Sequence, residues 1–412
     1  MPPHAGSASA ETLPPSVRVH VLGAGPVGLA VAALLQPSDR FSVHLYEKRS
    51  DYSRTRMVQL ASYLVADSIA SYCADYIDGD SVGAIFEPEQ LEEGLAFRQS
   101  IPPDLMALLR GWTLGFVPLN HIERGLSDLI DGRSAHPVRR VTGAVTVEAV
   151  TAMLQPGDVL IDCTGTKSVL RDHLLPAAAD GEANTQKVRL EYALVITFLY
   201  DQAYDCNEYC KYYKNIDNAY YKFIPAVNRT CYDGHISHVT GIVNIPAEDY
   251  ERMPPRFDGQ WLRLNFPDVA QSMDRFIAKV KTETQGEIVG DLEIVRIPLD
   301  LYRARNATSR RLRRAETNGH PLAASPVFLV GDSAMGSPYF QSISLGFECA
   351  MSLAALLGRR DLAVGEMLER YEQFIYKQWM RVYLRTRMIK HNKDLFESVG
   401  DTFALLEKLH IY

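Results

Sequence analysis

The strongest constraint on how this chain can fold is a glycine-rich turn held between two apolar segments. Val17–Leu22 reads as an apolar strand, Gly23-Ala24-Gly25-Pro26-Val27-Gly28 as a tight turn, and Leu29–Leu35 as an apolar helix. A second strand-like run, Phe41–Tyr46, ends on Glu47. Each glycine has a separate task in such a turn. Gly23 lets the chain bend sharply, Gly25 lets the backbone approach a pyrophosphate, and Gly28 lets the helix pack against its strand. The helix N-terminus offers unpaired N–H groups and the positive dipole end to phosphate. Glu47 stands where a carboxylate accepts hydrogen bonds from a ribose diol. An adenine dinucleotide without a 2′-phosphate follows; NAD and FAD both remain open at this point.

The 412 residues suffice for two or three domains with ample core. A hydrophobic content of 47% and a charged content of 23% are those of a soluble globular protein. A net charge of −7 argues against nucleic acid or an acidic membrane face as partner. The basic run 303–314 reads as a solvated loop or helix face. Residues 1–16, rich in Pro, Ala and Ser, contain neither a basic n-region nor an apolar h-region, and are expected to be a flexible tail. No apolar stretch approaches the roughly 20 residues that span a bilayer. The six cysteines are scattered, which favours reduced thiols and a cytoplasmic protein.

Further along, Met57 to about Tyr76 reads as an apolar helical stretch, and 79–111 as a mixed, Pro-containing surface segment. Phe116–Asn120 reads as a short strand, followed by a helix over His121–Ile130 with apolar residues at 122, 126, 129 and 130. Val138–Val150 alternates and suggests a small hairpin. Asp158–Cys163 and Val327–Val330 are buried-type strands suited to a parallel sheet. Between about 191 and 296 the strand-like runs Tyr192–Tyr200, Ala219–Ile224 and His238–Asn244 suggest an antiparallel sheet. Tyrosines concentrate there, mostly because they suit strands, with some available to line a pocket. A helix is expected over roughly 346–357, and a packing helix beyond Gly365, with 371, 374, 375 and 382 on one stripe.

Three separated segments then line up: Gly23–Gly28 with Glu47; Asp158-Val-Leu-Ile-Asp-Cys-Thr-Gly165 with Ser168 and Arg171; and Val327-Phe-Leu-Val-Gly331-Asp332 with Pro338. Together they resemble the flavoprotein monooxygenases of the para-hydroxybenzoate hydroxylase type. The resemblance implies an α/β fold: a Rossmann-like FAD-binding domain with a parallel sheet, a mostly antiparallel substrate sheet, and C-terminal helices. It implies a tail at 1–16, a discontinuous FAD-binding domain at 17–190 and 297–360, a substrate-binding domain at 191–296, and helices at 361–412. The implied FAD-binding set is Gly23, Gly25, Pro26, Val27, Gly28, Glu47, Lys48, Arg56, Asn120, Thr164, Gly165, Gly331, Asp332 and Pro338. Two departures stand at the flavin end. Thr164 replaces the family's Asp before Gly, in a network linked with NAD(P)H use. Met335 replaces a His, and Phe340–Gly346 replaces a longer Gly-rich run.

The implied activity is monooxygenation: hydroxylation or epoxidation of a hydrophobic aromatic or polyene small molecule in secondary metabolism, such as antibiotic biosynthesis. Molecular oxygen is the co-substrate, with NAD(P)H or a partner flavin reductase as electron source. An FAD-dependent reductase, oxidase or cyclase on the same scaffold is the alternative, and a redox-inactive flavin-binding protein the second. The substrate-positioning candidates are Arg54, Tyr212, Tyr221 and His238. Cys206, Cys210, Cys231, His235 and His238 could supply N/S ligands to zinc, but their spacing is loose, and no metal is expected.

Overall fold

The computed structural model describes residues 11–54, 57–74, 86–115, 117–175, 183–202, 223–226, 236–314, 325–337, 342–384 and 387. The opening motif folds as its residues dictate. β1 (Val17–Leu22) leads through the glycine turn into α1 (Pro26–Leu35), which returns the chain to β2 (Phe41–Glu47), parallel to β1 with Val17 beside Phe41 and Leu22 beside Tyr46. β3 (Met57–Val58) and β4 (Val117–Pro118) form a separate two-stranded ladder. β5 (Arg139–Thr142), β6 (Val159–Asp162) and β12 (Val327–Leu329) complete a five-stranded parallel sheet in the order β12-β6-β1-β2-β5. Val159, Leu160, Ile161 and Val327–Leu329 are fully buried, as strands covered on both faces must be.

The second sheet is antiparallel: β7 (Thr185–Tyr200), β8 (Phe223–Ala226), β9 (Ser237–Ile245), β10 (Arg256–Phe257) and β11 (Ile288–Ala304), in the order β10-β11-β7-β9-β8. Its own apolar cluster includes Leu194, Ile196, Val243 and Ile294, with Leu262 and Met273 from the helices at Gly259–Asn265 and Pro267–Thr284. The fold is therefore α/β, with a Rossmann-like parallel sheet and a separate antiparallel sheet. The two are joined by long strands. The boundaries expected at 190/191 and 296/297 fall inside β7 and β11, which pair from Ile288 with Tyr200 to Ala304 with Thr185. β13 (Met335–Gly336) adds to β11 beside Tyr302 and Arg303, tying the last flavin-type motif to the antiparallel sheet.

Several local expectations are corrected. The stretch 57–76 is not one helix: β3 is followed by a 3-10 turn at Ser62–Val65 and a helix at Ile69–Ala74. Tertiary pairing wins there, with Val58 laddered to Val117 and the Leu60 N–H donating to Trp112 O. The described part of 79–111 holds α2 (Pro88–Ser100) and a helix at Pro103–Thr113, with Leu105, Leu109 and Trp112 buried. Its prolines begin helices, where a missing N–H costs nothing. The hairpin expected at 138–150 is instead β5, parallel to β2, and a helix at Val147–Met153 whose start is capped by the Thr146 hydroxyl, accepting from Ala149 N at 3.2 Å. The end of the expected flexible tail packs on the body: Thr12 bridges Ala363, Val364 N donates to Glu11 O, and Leu13 is buried.

α3 (Leu119–Gly132) buries Ile122, Leu126 and Ile130, as its spacing predicts. α4 (Ser342–Gly358) starts four residues earlier than expected, and α5 spans 364–384 with Tyr371, Ile375 and Val382 buried. Among the described residues no helix is long and apolar enough to cross a membrane.

Candidate functional site: a dinucleotide cleft at the carboxyl edge of the parallel sheet

β1, β2, β6 and β12 all end on one edge of the parallel sheet, where open α/β sheets bind ligands. A cleft of about 550 Å³ lies there, lined by Gly23, Gly25, Pro26, Val27, Glu47, Lys48, Thr164, Gly165 and Asp332, together with Arg49, Arg54 and Lys167. Most of the expected FAD-binding set is thus brought to one place by strands far apart in sequence.

Its floor is backbone. Gly23 has φ +91°, and a Cβ there would meet Cys163 O at 2.8 Å. Gly28 is tighter, since its Cβ would stand 1.9 Å from Gly23 O. The start of α1 has no side-chain cap and no acid in its first turn, so its first N–H groups are left to the cleft. At the far side Gly331 has φ +67° and lies over Val27, which Gly346 of α4 also touches.

Glu47 is heavily engaged. Its Oε2 accepts from Ala24 N at 3.1 Å and Arg49 Nη2 at 2.9 Å; its Oε1 accepts from Lys48 N at 2.9 Å and Arg49 N at 3.0 Å. Burial would raise this carboxyl, but the Arg49 and Lys48 hydrogen bonds outweigh it and hold Glu47 below the ordinary glutamate range. A ribose diol reaching Glu47 must therefore share it with Arg49.

Arg54, expected to position substrate, stands at the Gly25 end of the cleft. Its Nη2 lies 3.4 Å from where a Gly25 Cβ would be, and it is paired with the fully buried Glu123 of α3. Arg49 lies 3.7 Å from the same carboxylate. Glu123 Oε2 has no hydrogen-bond partner among the described residues. The sequence reading missed Glu123; the available signal was its place one helical turn after Asn120. Asn120 itself is buried, with its N–H donating to Arg54 O at 2.7 Å, and it holds the Arg54 loop without lining the cleft. Arg56, Pro338, Tyr212 and Tyr221 lie outside the described residues, as do Cys206, Cys210, Cys231 and His235. His238 is exposed on β9, opposite Leu199, away from the cleft.

The middle and last motifs are locked together. Thr164 donates to Asp162 Oδ1 from N at 2.8 Å and from Oγ1 at 2.6 Å, and Ser168 Oγ donates to Oδ2 at 2.5 Å. Burial pushes the Asp162 carboxyl up, against these donors and Arg171. Arg171 Nη1 donates to the Ser333 and Asp332 carbonyls at 3.3 and 3.4 Å, and Tyr302 of β11 donates its hydroxyl to Asp332 O at 2.7 Å. These bonds fix the Asp332 backbone from both sheets. Asp162→Asn keeps an acceptor for Thr164, so its stability at pH 7 should stay within about 1 kcal/mol of the parent in urea melts. Asp162→Ala strands three donors and should cost about 1–3 kcal/mol.

Comparison with known proteins agrees with the Rossmann half: residues 21–77 match the family described as NAD(P)-binding Rossmann-like domain. No curated protein matches the sequence. Among solved structures, the chain is similar to the Diels-Alderase PyrE3 of pyrroindomycin biosynthesis (15% identity, 94% of this chain and 77% of that one, TM-score 0.49). It is also similar to tetracycline destructase Tet(51) (13% identity, 95% and 98%, TM-score 0.47). A third is 2-methyl-3-hydroxypyridine-5-carboxylic acid oxygenase in its tetrameric form (16% identity, 92% and 92%, TM-score 0.47).

Proposed function

We propose that the chain is an FAD-dependent monooxygenase acting on a hydrophobic small molecule, with FAD in the cleft. The observation that carries this reading is the joining of Gly23–Gly28 and Asp332 along one cleft, with the antiparallel sheet attached at the Asp332 end through β13. A nucleotide alone needs only the first motif.

The residues present fit the cofactor. The uncapped α1 terminus and the space above Gly25 take the pyrophosphate, with Arg54 and Lys48 opposing its charge. Glu47 takes the ribose, and Asp332 takes hydroxyls of the ribityl chain. Bound there, FAD would supply the redox chemistry with oxygen that monooxygenation requires. The chain's own part is to bind, orient and exclude water. Arg171 and Tyr302 hold the Asp332 loop, and burial keeps the Tyr302 phenol protonated, with its pKa raised, so that it remains a donor. The substrate sits against the antiparallel sheet, and the electron donor is NAD(P)H or a separate reductase.

One observation favours a second reading, another flavin reaction on the same scaffold. Position 164 carries a threonine and so offers no carboxylate to a network for nicotinamide use, and its hydroxyl is spent on Asp162.

The purified protein should carry FAD, read from its absorbance and from the released cofactor. Asp332→Ala should reduce FAD retention at least tenfold. Anaerobic NADH or NADPH should bleach the flavin in a one-component enzyme. Turnover only with an added reductase identifies a two-component enzyme. Flavin that is bound but never supports oxygen-dependent turnover sinks the monooxygenase reading.

A further inference from the structure

A second cavity, of about 410 Å³, lies between α2, α4 and α5. It shares no lining residue with the dinucleotide cleft and takes none from the antiparallel sheet. Its walls are mainly apolar, with Phe86, Leu91, Met351, Leu356 and Phe374 prominent. Its size is that of ordinary small-molecule sites, which pair an apolar lining with a few placed polar groups.

The placed polar group is Arg98 of α2. It is 7% exposed, lines the cavity, and its Nε has no hydrogen-bond partner among the described residues. The nearby carboxylate, Glu348 of α4, is already taken: Arg381 Nη2 and Nη1 donate to it at 2.7 and 3.3 Å, and the Tyr72 hydroxyl donates as well. Burial pushes Tyr72 up to about 12, so it stays a donor at neutral pH. Arg98 Nη2 is left 3.7 Å from Glu348, beyond hydrogen-bond range, with its guanidinium over the Tyr72 ring at 4.7 Å.

A buried guanidinium whose Nε finds no partner among the described residues is costly, and a carboxylate is the planar partner that a guanidinium edge fits best. Glu87, Glu89 and Glu93 line the cavity together with Arg370, which lies 3.7 Å from Glu93; Arg359, outside the lining, reaches Glu93 at 3.5 Å, and Lys377, also outside it, donates to Gln90 at 2.6 Å.

We propose that this cavity is a second ligand site, which takes an amphipathic monocarboxylate with its acid group on Arg98 and its hydrocarbon against Phe86, Met351 and Phe374. The site is separate from the FAD cleft and does not depend on the flavin reading.

Calorimetric titration of the full chain with decanoate and 1-decanol tests it. Decanoate should bind with one-to-one stoichiometry and at least tenfold more tightly than the alcohol. Arg98→Gln should weaken decanoate at least tenfold and remove the preference for acid. Ala355→Phe, which fills the cavity from a half-buried wall position, should block both ligands. Unchanged thermal melting and far-ultraviolet circular dichroism show that the variants are folded; if Arg98→Gln does not fold, Arg98→Lys and Ala355→Phe carry the test. No decanoate binding by the parent, equal binding of acid and alcohol, or binding indifferent to the folded variants overturns the proposal.

Discussion

Gly28→Val should abolish flavin retention and cost about 3 kcal/mol of stability or more, the upper range for an overpacked core position. The added Cβ alone would sit 1.9 Å from Gly23 O and 3.2 Å from Cys163 Cβ, so no side-chain rotation relieves it. α1 must lift from the turn, which moves the uncapped N–H groups away from the phosphate position and disturbs Val27, on which Gly331 and Gly346 rest. Urea melts and the flavin-to-protein absorbance ratio check both parts. A variant that melts like the parent and retains its flavin would show that the turn has room the geometry denies.

Arg381→Met should cost about 3–5 kcal/mol at pH 7, because it removes the main partner of a buried carboxylate. Glu348 is 3% exposed, and burial by itself would raise its pKa; Arg381, Arg98 and Tyr72 reverse that and hold it below the usual glutamate value. The sign of the pH dependence follows. A depressed folded pKa contributes stability above the unfolded pKa, about 4.3, and loses it as pH falls through the folded value. In the variant, burial without Arg381 favours the protonated Glu348, so the gap between parent and variant should narrow as pH falls from 7 through the unfolded value toward the parent's depressed one. Denaturant midpoints across pH 3.5–7 measure the gap; a constant gap would mean that the cost is packing alone.

The two predictions differ in how far they could be foreseen. The Gly28 effect is local: a strand, a turn of given glycines and a helix state their own geometry between Val17 and Leu35, and the backbone sterics are the same in any fold. The buried strands Asp158–Cys163 and Val327–Val330 were legible for a similar reason, since short apolar runs containing β-branched residues suit a sheet covered on both faces. Where several conformations were locally acceptable, the reading failed. Val138–Val150 alternates like a hairpin, yet β2 offers a parallel edge to 139–142 and the Thr146 hydroxyl starts a helix. Pro88 and Pro103 looked like surface breaks, although they open helices whose buried faces depend on distant partners.

Site residues divide along the same line. The turn geometry of Gly23 and the tight packing of Gly28 were readable because they are set by neighbours in the chain. The place of Arg54 beside Gly25 was not, because it depends on Glu123, on a helix that only packing brings there. Arg98, Glu348 and Arg381 carry no motif at all; α5 reads from its apolar stripe as a packing helix, and Arg381 takes its role only from facing α4. Backbone turns and strand burial are written in short-range sterics and hydrophobic pattern, so this sequence alone settled the dinucleotide turn and the class of the sheet. Which charges meet in the cleft, and which guanidinium nitrogen in the second cavity finds no hydrogen bond among the described residues, depends on long-range packing that places side chains from separate elements a few ångströms apart, and that was decided only in three dimensions.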